Sequence, residues 1–82
     1  MEGQITSQPS LTYGQKAVGL TFNPSNDADV QRIKELYARI IDIMNDMKVP
    51  GAQSERGRLI SISITEAQSA QMWAVKAITW KD

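Results

Sequence analysis

Neither cysteine nor histidine occurs in this 82-residue chain, and the two absences together remove most familiar chemistry. Without cysteine there is no disulfide framework and no thiolate zinc site. Without histidine the commonest general base, the commonest metal ligand and the triads built on it are gone. Charge of one sign is also lacking, because nine Lys and Arg balance nine Asp and Glu. The molecule as a whole therefore exerts no long-range pull on polymeric nucleic acid or on an anionic membrane, and any anion it binds must be held locally. No apolar run is long enough to span a bilayer, and the opening MEGQITSQPSLTYGQK has neither the basic start nor the apolar core of a signal peptide. The expected location is the cytoplasm. A chain this short also buries little surface of its own, which predicts association with further copies.

What is present is mostly helical pattern. Residues 1–15 are polar and turn-rich, with Gly3, Pro9, Ser10 and Gly14, and read as a flexible arm. Residues 16–22, KAVGLTF, contain Val18, Thr21 and Phe22 and suit a short extended segment. The turn formers and capping side chains of residues 23–27, NPSND, place a helix start near Ser25 or Asn26, with Asp27 and Asp29 at the positive end of its dipole. Val30, Ile33, Tyr37, Ile40, Met44 and Met47 then recur at steps of three and four, so the first long helix spans 25–48. Leu36, Ile41 and Ile43 widen its apolar surface beyond what one partner helix covers. Pro50, Gly51 and Gly57 break the pattern over a loop at 49–57.

The stretch LISISI at 59–64 alternates as a strand would, yet it runs without a breaker into Ala67, Ala70, Ala74 and Ala77. That length favours a second helix at 58–80. Ser63 joins those alanines in a line of small residues three or four apart, which lets another helix approach closely. The expected fold is mainly α: a single domain over 1–82, built as an antiparallel two-helix hairpin with a short extended N-terminal segment and assembling into a symmetric helical homo-oligomer.

Catalysis would have to rest on carboxylates, and Asp42, Asp46 and Glu66 come without an electrophile holder, a phosphate loop or a metal cluster. The chain is not expected to be an enzyme or to need a cofactor. Binding has better candidates. Phe22, Asn23 and Ser25 lie in a turn ahead of a helix N-terminus, where a ring can stack on a flat base and free N–H groups can meet an anion. The plainer reading makes Phe22 a hydrophobic anchor and Ser25 a helix cap. Lys34 is open to the same two readings, as an anion contact or as a solvated helix residue. Lys76, Thr65 and Ser69 sit off the small-residue line among Ile62, Met72 and Trp73, where an ammonium either meets an anion or extends to solvent. Trp73 and Trp80 read as packing rings, while Gln68 and Gln71 are amides beside or within the apolar line and need partners.

FNPS at residues 22–25 ahead of a long amphipathic helix, and RLISISITEAQSAQMWAVKAITW at 58–80, resemble the hairpin domain of small phage proteins that counter bacterial CBASS and Thoeris immunity. The resemblance implies a sponge that sequesters cyclic di- or trinucleotides or cyclic ADP-ribose isomers without cleaving them, in the cytoplasm of the infected bacterial host. It implies dimers that build hexamers, with pockets between subunits. It gives Phe22 the role of the ring that stacks on a base, with Asn23 beside it, and Lys34 that of the phosphate contact. A second pocket in related members uses an arginine early in the second helix together with hydroxyls. The matching position here is Ile64, so Arg58, Thr65, Gln68 and Ser69 would have to remodel it. The alternative from the residues alone is a structural or adaptor helical oligomer that binds another protein.

Overall fold

A computed structural model of the chain describes residues 10–51 and 53–82. Three helices follow one another, α1 (Tyr13–Ala17), α2 (Ala28–Asp46) and α3 (Glu55–Thr79), and no strand occurs among the described residues. The arm expected over 1–15 lies largely outside those residues.

The extended segment expected at 16–22 is not formed. Thr12 and Gln15 close a capping box, with Thr12 Oγ1 accepting from the Gln15 N–H at 3.1 Å and Gln15 Oε1 accepting from the Thr12 N–H at 2.9 Å. This reciprocal bonding starts a helix inside a stretch whose composition suggested an arm. The helix is short because Gly19, at φ +64, turns the backbone into a conformation that favours glycine. Val18 is buried, so its branched side chain serves packing and pairs with no neighbouring strand.

The first long helix begins later than the Ser25 or Asn26 start. Asp27 is its N-cap, accepting from the N–H groups of Asp29 at 2.7 Å and Val30 at 3.3 Å. Ser25 belongs to the preceding turn, where its hydroxyl donates to Asn23 Oδ1 at 2.8 Å. The second long helix begins earlier than residue 58, because Ser54 caps it through the Gly57 N–H at 3.0 Å. The alternating LISISI stretch is helical: Ile60 and Ile64, one turn apart, are buried, while Ile62 between them is exposed.

α2 is the central element, packed against α1 on one flank and α3 on another. Val18, Ala38, Ile41, Ile60 and Ile64 form the core, with Ala17, Leu20, Tyr37, Met44 and Ala67 against it. The turn through Pro50 and Gly51, the latter at φ +79, reverses the chain so that α2 and α3 form an antiparallel hairpin. α1 lies unusually close to α2. A Cβ added to Gly14 would stand 2.1 Å from the Ala38 carbonyl oxygen, so only glycine fits.

Much apolar surface stays uncovered in the single chain. On α2 and its C-cap, Leu36, Ile40, Ile43 and Met47 follow at steps of four, three and four and are all exposed. On α3 and its C-cap, Ile62, Met72, Trp73 and Trp80 are exposed as well. In the small-residue line, Ser63, Ala67 and Ala74 are half-buried, whereas Ala70 and Ala77 are open.

Candidate ligand-binding site

The turn between α1 and α2 presents Phe22 outward. The Phe22 N–H donates to the Gly19 carbonyl at 2.9 Å, closing a turn that starts at the left-handed Gly19. The ring is 70% exposed, so it packs as no anchor within the chain. The residues that follow are tied locally. Asn23 Nδ2 donates to the Asp27 carbonyl at 3.1 Å, and the Asp27 N–H donates to Ser25 Oγ at 3.3 Å. Asn26 completes the turn at φ 55, a region that asparagine tolerates better than most residues.

Lys34 comes to this turn from α2. It is only 5% exposed, so the reading of Lys34 as a solvated helix lysine is corrected. Its ammonium donates to the Gly19 carbonyl at 3.0 Å and to the Phe22 carbonyl, and lies 5.6 Å from the centre of the Phe22 ring. Two of its three N–H donors are thus committed to backbone. Carbonyl dipoles and the face of the ring replace the water that burial removes. Of the residues singled out in the sequence, Phe22, Asn23, Ser25 and Lys34 are gathered into one neighbourhood.

The others are not. Arg58, Thr65, Ser69 and Lys76 lie along one line of α3, at steps of seven, four and seven, and all but the half-buried Ser69 are exposed. Arg58 and Lys76 are separated by about 27 Å of helix rise, too far to enclose a small ligand together within one chain. Gln68 sits half-buried on the flank of that line. Arg58 is engaged by Glu55, with Nη2 to Oε2 at 2.7 Å and Nε to Oε1 at 3.0 Å. That pairing holds the Glu55 carboxyl below its ordinary value against a small opposing effect of burial, and raises the Arg58 guanidinium.

Lys76 is exposed, so its ammonium extends to solvent, one of the two readings open for it in the sequence. It stands between two rings, 5.3 Å from the centre of Trp73 and 6.0 Å from that of Trp80. Those rings are 68% and 63% exposed, so within one chain they are surface and not packing.

Two further polar residues, Asp42 read as solvated and Gln71 read as an amide in need of partners, carry structure. Asp42, one turn from Asp46 and suited to a solvated face, accepts from the Gly14 N–H at 2.7 Å. Gln71 is 5% exposed, and among the described residues its carboxamide has no hydrogen-bond partner. Its interruption of an apolar line was the available signal for Gln71; nothing local marked Asp42.

Concave surface occurs elsewhere too. A groove of about 800 Å³ at the hairpin turn is lined by Lys48, Arg56 and Arg58 among others, and one of about 370 Å³ beside α1 by Gln15, Arg32, Arg39 and Asp42. Neither includes Phe22 or Lys34. Among the described residues no group of His, Cys, Asp and Glu is placed to hold a metal, and no helix is long and apolar enough to cross a membrane.

Comparison with known proteins gives one positive result. The family model described as the Acb2/Tad1 hairpin domain matches residues 15–79, from α1 to the last residue of α3. No curated protein and no solved structure matches the chain.

Proposed function

Because the chain belongs to the Acb2/Tad1 hairpin-domain family, an anti-defence family of sponges acting against CBASS and Thoeris, we propose that it captures a cyclic nucleotide signal at the Phe22 turn. The ligand is a cyclic di- or trinucleotide or a cyclic ADP-ribose isomer, held intact and kept from the host effector. The protein is phage-encoded and acts in the cytoplasm of the infected bacterium.

The observation that carries this reading is an exposed aromatic ring fixed on a hydrogen-bonded turn with an ammonium behind it. A base stacks on the outer face of Phe22, and base–aromatic stacking is worth about 1–3 kcal/mol. The positive charge of Lys34, just behind the ring, favours an anionic ligand there. Asn23 and Ser25 offer polar atoms beside it. The rest of the pocket comes from a neighbouring subunit, since the exposed apolar residues of α2 and α3 supply surface for a homo-hexamer. Arg58, Thr65, Gln68, Ser69 and Lys76 line the outer face and flank of α3, and contribute to a pocket only where another copy faces them.

Calorimetry with cyclic di-AMP, cyclic di-GMP, cyclic tri-AMP and cyclic ADP-ribose isomers tests the reading, followed by heating and chromatography of the released ligand. Tight binding with intact ligand recovered is expected, and Phe22→Ala should weaken binding at least tenfold without changing the oligomer. Binding to none of the panel would refute the sponge reading, and recovery of a linearised product would refute sequestration without cleavage. The second reading, a helical adaptor for another protein, is favoured by the same exposed apolar faces, and an assembled oligomer without nucleotide affinity would select it.

A further inference from the structure

The segment that displays the exposed ring is held together along its length by its own backbone. The N–H groups of Val18, Gly19, Leu20 and Phe22 donate to the carbonyls of Gly14, Lys16, Gln15 and Gly19 at 3.1, 3.1, 3.0 and 2.9 Å, so residues 14–22 form one hydrogen-bonded piece. Its Phe22 end is well anchored. Val18 lies in the core, Leu20 packs against it, and the Gly19 and Phe22 carbonyls accept from Lys34. Apolar contacts carry no direction, and anchors gathered at one end leave a stiff piece able to pivot on the helix beneath it.

The angle is fixed at the other end. There the Gly14 N–H donates to Asp42 Oδ1 at 2.7 Å, between residues 28 positions apart. Asp42 lies two turns beyond Lys34 on α2, about 12 Å of helix rise, so the two ends of the piece are held at well-separated points of one helix. The approach is close, since a Cβ on Gly14 would stand 2.1 Å from the Ala38 carbonyl oxygen and 2.8 Å from the Asp42 carboxylate. A carboxylate accepting from a backbone N–H makes a directional bond, roughly twice as strong as a neutral one.

We infer that Asp42 is a positioning residue: its bond to Gly14 fixes the angle of residues 14–22 on α2 and with it the direction in which the Phe22 ring faces, and it acts on ligand through that ring. A ring already held in its stacking direction loses less freedom when a base arrives. In its ligand arm the inference rests on the sponge reading; in its structural arm it does not.

The structural arm uses the full chain without ligand. Phe22 is the one phenylalanine of the sequence, so incorporation of fluorophenylalanine places a single fluorine probe on the ring. Asp42→Ala should speed exchange of the Gly14 N–H at least tenfold and broaden or split the fluorine resonance, while the Ile41 and Ile64 amides keep their protection. Asp42→Asn keeps a carbonyl acceptor and should restore both signals. A fluorine resonance unchanged in Asp42→Ala overturns the inference, because Asp42 would then seat α1 without bearing on the ring. Loss of Ile41 protection in both variants also overturns it, because Asp42 would then be a residue of general stability.

The ligand arm repeats the calorimetry with cyclic di-AMP, cyclic di-GMP, cyclic tri-AMP and cyclic ADP-ribose. Asp42→Ala should lower affinity at least fivefold in the natural background and by less than twofold in the Phe22→Ala background, and Asp42→Asn should bind within twofold of the natural chain. Full additivity of the Asp42→Ala and Phe22→Ala losses would mean that Asp42 acts on ligand apart from the ring and overturn the inference. If no probe binds, the sponge reading fails, and the fluorine and exchange measurements still decide the role of Asp42.

Discussion

Gly14 and Asp42 are joined by a 2.7 Å hydrogen bond from backbone N–H to carboxylate, at the place where α1 comes closest to α2. The bond explains why a five-residue helix, too short to be stable alone, has a defined seat. From that seat the chain enters the Gly19–Phe22 turn, so the docking of α1 also helps to set the ring.

Asp42→Ala should cost about 1–3 kcal/mol, the range for removing a charged partner and leaving a part-buried N–H unpaired. Asp42→Asn keeps a carbonyl acceptor and should cost less. Gly14→Ala places a methyl against the Ala38 carbonyl and should cost about 1–3 kcal/mol or release α1 altogether. Urea denaturation gives the energies, and limited proteolysis reports release of α1.

Ile41 has no exposed surface and packs in the core between α2 and α3. Truncation to alanine should destabilise by about 2–5 kcal/mol. The same truncation at Ile43, which is 62% exposed, should change the stability of an isolated chain by no more than about 0.5 kcal/mol. Chemical denaturation of both variants at low protein concentration checks the contrast.

Gln71→Leu should stabilise the isolated chain by about 1–2 kcal/mol, since it removes a buried amide that lacks a partner among the described residues. If a neighbouring subunit satisfies that amide, the gain disappears at concentrations where the oligomer forms. Thermal denaturation across a dilution series separates the two outcomes.

The Glu55–Arg58 pair gives a pH dependence of known sign. A carboxyl depressed in the folded state adds stability above its ordinary value of 4.5, and that stability is lost as pH falls through the lower folded value. The first turn of α3 should therefore loosen only below about pH 4.5, and Arg58→Gln should bring the Glu55 titration back toward 4.5. Carboxyl carbon NMR shifts follow it directly. The effect on global stability should be small, because both groups are in contact with water.

Trp73→Ala should leave the isolated chain within about 0.5 kcal/mol of the original and lower the assembled mass. Tryptophan emission should move to the blue as concentration rises, because both rings are exposed in the single chain. An unchanged mass by light scattering would remove α3 from the assembly surface.

The hairpin was legible because periodicity reports burial: Val30, Ile60 and Ile64 fall where a helical repeat sends them inward, although Ile40 and Met47 of the expected seam are exposed and Ile41 beside it is the buried one. α1 was hidden, because its start depends on two reciprocal bonds between Thr12 and Gln15 within a stretch that also holds Pro9, Ser10 and Gly14. The residue types at the Phe22 turn were readable, and likeness to a known family brought Phe22 and Lys34 forward together. Their relation was not readable. A lysine that faces inward to carbonyls twelve and fifteen residues earlier leaves no mark in local spacing, and the same lysine on a helix ordinarily faces water.

The order of the helices also bears on how quickly the protein is ready to act. α2 touches the helix before it and the helix after it, so contacts are made between successive elements. Chains with such local contacts fold in microseconds to milliseconds. Docking of α1 on α2 brings together elements adjacent in sequence, so it needs no long loop to close first. On the proposed oligomeric reading, the meeting of subunits is then the slow step, and the rate at which binding capacity appears should rise with the amount of protein made.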